Sequence, residues 1–279
     1  MKIVGSHTET FLLLNGLKVD HPIRLSDHAQ FLPATFVPTP GLLSRVLSKE
    51  PDFSIASLFL GTVASQIKVS APTPKELAVL AWNTYWDILL INAFLQCESI
   101  CNLQSDVPLE ELCTAGVEGQ LQITNYHLRG PAFTEPRMVA DAEAEWIEAN
   151  VERGRQLLQK PSFQNAVHSL ATYSWHSLPR AQLALIWSGI EGLFEVESEI
   201  VFRVSLYIAR FLHPDDAEQR LKTFADVKRL YKARSQAVHG SRLKGDSNAA
   251  VSESSSLLSW LIRKCCEAGA LPVTANLAP

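Results

Sequence analysis

No basic leader followed by a long apolar run opens this chain; it starts Met1-Lys-Ile-Val-Gly-Ser-His, the expectation for a protein that is not exported and stays in the cytoplasm. Its longest apolar region, Leu77 to Leu95, is broken by Asn83, Asp87 and Asn92, which makes a poor membrane span and a good buried helix. No membrane partner is expected. Cysteines number five, an odd count without a Cys-x-x-Cys pair, which argues against a disulfide framework. A zinc site would have to be assembled from Cys97, Cys101, Cys113 and His127 across a helix end and predicted strands, and buried free thiols are the simpler account. No Gly-x-Ser-x-Gly elbow frames Ser6, His7, Ser26, Asp27 or His28 as a catalytic triad. Phosphate-cradling glycine loops and repeats of solenoid period are missing too, and the only low-complexity run is Ser252 to Ser256. Large charge excess is also lacking: a net charge of −4 gives no global attraction to nucleic acid.

What is present is a chain of 279 residues, 47% hydrophobic and 19% charged, the balance of a soluble globular protein long enough for two domains, each with a core. The first seventy or so residues mix β-rich runs, Phe11-Leu-Leu-Leu and Ala56 to Val63, with turns at Pro33, Pro38 and Pro40. Thr73-Pro74-Lys75-Glu76 supplies an N-cap, a first-turn proline and a glutamate at the third position, so a helix is expected from there to about Leu95. Glu98 to Asn102 and Gly119 to Leu128 read as further strands, and Trp82, Tyr85 and Trp86 as core residues of the helix.

From Thr134 the texture turns helical. Val139 to Gln159, Ala181 to Phe194 and Ile200 to Leu212 carry apolar residues at helical spacing. Asp215 and Glu218 read as a capping pair before a helix over Leu221 to His239, and a last helix is expected over Ser255 to Glu267, after a polar Gly245-Asp-Ser-Asn loop. The expected fold class is α+β: a mixed α/β domain over 1–133, then an all-helical bundle over 134–279.

The most informative stretch is Arg234-Ser-Gln-Ala-Val-His239-Gly240. Along the stripe Val227, Leu230, Arg234, Val238, an arginine stands where an apolar residue is due, and buried arginine is rare unless paired. Tyr231, Ser235 and His239 repeat at four-residue spacing beside it. Gly240 is a plausible helix stop, which sets His239 at the negative end of the helix and favours its protonated form. Between Arg220 and Lys244 the residues Arg220, Lys222, Lys228, Arg229, Lys232, Arg234, Arg242 and Lys244 face Asp226 alone, a local positive island.

Three stretches, Leu185-Ile-Trp-Ser-Gly-Ile-Glu191-Gly-Leu-Phe, Phe202 to Leu212 and Tyr231-Lys-Ala-Arg-Ser-Gln-Ala-Val-His-Gly, resemble the HEPN superfamily and, within it, the Apea-like HEPN group. The family's Arg and His, separated by four to six residues, correspond here to Arg234 and His239 with four between. The resemblance covers about half the chain, Thr134 to Leu271. It implies a helical domain that dimerises so that two motifs meet, and a metal-independent endoribonuclease that needs no cofactor, leaving 2′,3′-cyclic phosphate and 5′-hydroxyl ends. In that reading Arg234 and His239 are catalytic, Glu191, Ser235 and Tyr231 support them, and Lys228, Arg229, Lys232, Arg242 and Lys244 grip RNA, with tRNA among the substrates considered. Histidine suits proton transfer near neutral pH, and the arginine fork suits charge developing on a phosphate. Many catalytic members carry Asn, Asp or His after the arginine, where this chain has Ser235. The N-terminal domain is then the sensing or targeting part, docking a protein or ligand activator, and anti-phage defence or toxin-like control is the role the resemblance suggests. A plainer reading stands beside it: a non-catalytic RNA- or protein-binding module, with Arg234 paired to Glu191 to fasten two helices and the basic island an ordinary solvated face.

Overall fold

In the computed structural model, residues 7–39, 41–47, 52–126, 135–196, 200–238 and 246–278 are described. The chain divides into two compact units: one runs to Asn92 and resumes over Cys97–Glu152, the other joins Ala93–Gln96 to the chain from Arg153 onward.

In the first unit, β1 (Glu9–Asn15) is central to a six-stranded sheet with β3 (Ile23–Arg24), β4 (Ala29–Pro33), β5 (Val63–Ser70), β6 (Cys101–Ser105) and β7 (Leu121–Ile123). The order is β3-β4-β5-β1-β6-β7 and every pairing is antiparallel, with Leu12 opposite Ile67 on one side and Gln104 on the other. A second, two-stranded ladder pairs β2 (Leu17–Lys18) in parallel with β8 (Arg137–Met138). Phe11-Leu-Leu-Leu does not alternate because the strand is buried on both faces. Phe11, Leu13 and Leu103 pack into one cluster with Leu42 and Val46 of α1 (Leu42–Val46), Phe59 and Leu60 of α2 (Phe53–Leu60), and Leu109 and Leu112 of α4 (Leu109–Leu112). Inside the sheet, Gln104 donates to the Thr10 hydroxyl at 2.9 Å and Thr10 donates to Ser105 O at 2.9 Å, so buried polar groups are largely paired.

The expected helix start at Thr73 forms as read. In α3 (Pro74–Leu95) the Glu76 amide donates to Thr73 Oγ1 at 3.3 Å, and the Thr73 hydroxyl donates to the Glu76 carboxylate at 2.8 Å. By length and hydropathy α3 is the one membrane-crossing candidate among the described helices, yet 56% of its most apolar window is buried, and Asp87 and Asn92 are buried along it. Trp82 departs from its core reading: it is 59% exposed, with Val79 one turn before it 56% exposed.

Ala56 to Val63 is a further correction. Its first part is helix α2, in which Ala56, Phe59 and Leu60 are buried at helical spacing, and strand begins only at Val63. Expected strands at Glu98 to Asn102 and Gly119 to Leu128 shift or shorten to β6 and β7; Tyr126 is exposed, and His127 and Leu128 lie outside the described residues.

The second unit is helical: α6 (Pro161–Thr172), α7 (Pro179–Phe194), α8 (Ile200–Leu212), α9 (Ala217–Val238), α10 (Ser247–Ala268) and α11 (Thr274–Leu277) follow α5 (Asp141–Leu157), inside which the two units divide. Leu183, Ile186, Trp187, Ile190 and Phe194 are all buried along α7, as their spacing requires. Gly189 lets α7 approach its neighbours closely: a Cβ there would lie 3.0 Å from Leu258 Cδ2, 3.1 Å from Ala166 Cα and 3.2 Å from Ser169 Cβ. Two cap expectations need correcting. Helix α9 is capped by Asp216, whose carboxylate accepts from the Gln219 amide at 3.0 Å, rather than by Asp215. Helix α10 starts eight residues before Ser255, because Asp246 accepts from the amides of Asn248 and Ala249; what reads as a polar loop is a helix N-cap.

Candidate functional site

The site residues expected on α9 divide between two sides of the helix. Val227, Leu230, Tyr231 and Ala237 are its buried positions, whereas Val238, read as the end of the apolar stripe, is 48% exposed. The stripe drifts because the helix turns about 100° per residue, so Ala237 follows Arg234 inward while Val238 lies outward.

Arg234 sits at the edge of this stripe. Its Nη2 donates to Glu191 Oε2 of α7 at 2.9 Å, and the two side chains are 22% and 26% exposed. The contact uses one arm of the guanidinium: Arg234 Nε and Glu191 Oε1 are buried with no hydrogen-bond partner among the described residues. Beneath the guanidinium lies Tyr231, its ring centroid 5.4 Å from the Arg234 carbon centre. Burial and the Glu191 carboxylate push the Tyr231 phenol above its ordinary pKa, with Arg234 pulling the other way. Tyr231 in turn meets the edge of Trp187, centroids 5.1 Å apart at 84°, and Trp187 Nε1 donates to Ser254 Oγ of α10 at 3.2 Å.

Glu191, Tyr231 and Arg234 are therefore brought together. Ser235 is half-buried on the next flank of α9, and Lys228 and Lys232 are exposed, about 120° to 160° around the helix from Arg234. Arg229 is not a free cation. It pairs with Glu253 of α10 and with Asp226 at 3.5 Å, and the hydrogen bond to Glu253 raises its pKa. Arg220 keeps its charge but is held locally, donating to the carbonyls of His213 and Pro214, so it is the carboxylate pairing of Arg229 that makes the positive island smaller than the sequence suggests. His239, Gly240, Arg242 and Lys244 lie outside the described residues.

No protein family, curated protein or solved structure matches the chain.

Chemistry of other kinds finds little support in the described residues. Among them no three His, Cys, Asp or Glu side chains converge as a metal site. All five thiols are free, and burial pushes Cys97 and Cys265 up to about 12 and Cys101 up to about 11, far from the nucleophilic range. Ser26 is occupied as a turn acceptor, receiving the His28 and Ala29 amides at 3.1 and 3.0 Å. Sequence reasoning missed Arg180 and did not see what Trp187 does. Arg180 Nη1 donates to Gln236 O at 3.4 Å and Ala237 O at 3.2 Å, tying α7 to α9 beyond Arg234. Its only signal was a basic residue just after Pro179, which gives no hint of a contact 56 residues away.

Proposed function

We propose that the helical unit is a metal-independent endoribonuclease of HEPN type, working as a homodimer on RNA in the cytoplasm, with Arg234 and His239 as its catalytic residues. The observation that carries this reading is Arg234: a largely buried guanidinium with one arm on Glu191, underlain by Tyr231, on the helix whose last described residue, Val238, precedes His239 in the chain. A guanidinium so held can meet the charge that develops on a phosphate, and the imidazole can move the proton of the 2′-hydroxyl. One Arg and one His provide half of an acid and base pair, and a two-fold axis bringing two copies together would complete it. Lys228 and Lys232, exposed and without partners among the described residues, serve as phosphate contacts away from the reacting group. Arg242 and Lys244 extend that grip in this reading. The first unit serves as the sensing part, to which a protein or ligand activator docks, in anti-phage defence or toxin-like control.

The deciding experiment is cleavage of total RNA and a tRNA pool in EDTA by wild type, Arg234→Ala and His239→Ala, with end-group analysis. Cutting that leaves 2′,3′-cyclic phosphate and vanishes in both variants while the dimer persists is the expected result. The ion pair itself favours a second reading, in which Arg234 and Glu191 fasten α7 to α9 in a non-catalytic binding module. Loss of the dimer in the His239→Ala protein, or no cutting by a folded wild-type dimer, would favour that module.

A further inference from the structure

Helix α7 holds the C-terminal half of α9 at three places, and the Glu191–Arg234 pair is only one of them. Near Val238, the last described residue of α9, the Arg180 guanidinium donates to the carbonyls of Gln236 and Ala237, at 3.4 and 3.2 Å. These two bonds tie the backbone of α9, two and three residues beyond Arg234, to α7. Next, Trp187, wholly buried, presses its edge on Tyr231, while its N–H is anchored on Ser254 of α10. One turn further along α7, Glu191 takes Arg234.

The three contacts do different jobs. A carboxylate engaged through one Nη leaves the guanidinium plane free to turn, since the two-bond fork that would fix it is not formed. The plane is set instead by the Tyr231 ring below it, and that ring by Trp187. Helix α7 is closely packed between those contacts: a Cβ at Gly189 would meet Leu258, Ala166 and Ser169 at 3.0 to 3.2 Å. We infer that Arg180 and Trp187 are positioning residues for the Arg234 end of α9, with α7 as the rigid template that sets where the guanidinium stands. Trp187 is inaccessible to any substrate, so its influence passes through Tyr231. The activity arm of the test rests on the ribonuclease reading; the structural arms do not.

The test uses the full chain as wild type, Arg180→Gln, Arg180→Lys and Trp187→Phe, each checked for folding by urea denaturation. Amide exchange over residues 233–238, the spectroscopic titration of Tyr231 and steady-state RNA cleavage are measured. Arg180→Gln should speed exchange of the last turn and lower kcat roughly 10-fold or more with KM within about two-fold, because small displacements of a reacting group cost rate rather than binding. Arg180→Lys, which keeps a cationic donor, should recover most of both. Trp187→Phe should shift the Tyr231 titration and lower kcat similarly; should it fail to fold, the two variants of the half-buried Arg180 still decide. Wild-type exchange and titration in folded Arg180→Gln and Trp187→Phe would overturn the inference, as would unchanged kcat in an active enzyme whose exchange had moved. If wild type cuts no RNA while exchange and titration shift as expected, the ribonuclease reading falls and the template stands.

Discussion

Arg234 and Glu191 carry the cost of a pair that is neither exposed nor fully satisfied. Both are about three-quarters buried, and each keeps one buried polar atom unpaired among the described residues. Removing one partner therefore leaves the other largely buried and uncompensated, whereas removing both takes away the need for compensation. Arg234→Met is expected to destabilise the protein by about 1–3 kcal/mol in urea denaturation. Adding Glu191→Gln to that variant should restore part of the loss, a coupling of at least about 0.5 kcal/mol in a double-mutant cycle. Equal, additive losses would show that the contact does not couple the two helices. Arg229 offers the contrast: its pair with Glu253 is about half exposed, and Arg229→Ala should change stability by less than about 1 kcal/mol. The pairing of Arg234 was legible from the sequence because an arginine on an apolar stripe demands a partner. Neutralisation of Arg229 was not, because Glu253 is 24 residues away and only the packing of α9 on α10 brings it near.

Among the elements, helices with chemical stop and start signals were read well, and short ones were not. Thr73 and Glu76 announce α3 by local hydrogen bonding alone, and α7 announces itself by the spacing of Leu183, Ile186, Trp187, Ile190 and Phe194. Helix α2 deceived because Phe59 is a β-former and the run from Ala56 leads into Val63, where β5 does begin, and eight residues are too few for propensity to outweigh burial. At Asp246 the preceding glycine and the run of polar residues suggested a loop, although an aspartate before serine and asparagine is also an N-cap signature. The place of α7 rests on Gly189. Gly189→Ala should destabilise by about 1–3 kcal/mol through crowding, despite a helix-propensity gain of up to about 1 kcal/mol. The reason is that one of the close contacts is backbone, Ala166 Cα at 3.1 Å, which cannot swing aside as Leu258 can. A melting temperature at or above wild type would show that α6 and α7 can part without cost.

For the molecule as a whole, buried thiols lie in both units, and burial raises the pKa of Cys97 and Cys101 in the first and of Cys265 and Cys266 in the second. Unfolding returns each to its ordinary value near 9, so above that pH the unfolded chain gives up protons that the folded chain retains. Stability from this source is complete below pH 9 and is lost as pH climbs toward about 12, the value burial gives Cys97 and Cys265. Each thiol lowers unfolding free energy by about 1.4 kcal/mol per pH unit across that window. In reducing buffer, the urea midpoint should fall between pH 9 and 11, and Cys265→Ala should flatten the fall. A midpoint that stays level over that range would mean that the thiols are accessible.

What the sequence by itself determined is whatever depends on neighbours a few residues apart: the change from mixed to helical texture, the starts of α3 and α7, the core face of α7 and the odd, buried cysteines. Those properties follow from periodicity, capping chemistry and composition, which act over one or two helical turns. Tertiary structure alone decided that Arg180 ties α7 to the carbonyls of Gln236 and Ala237, and that Trp187 and Ser254 stand behind Tyr231. Such relations join residues that chain entropy keeps apart until a core is packed, and no local pattern records which distant side chain will meet them.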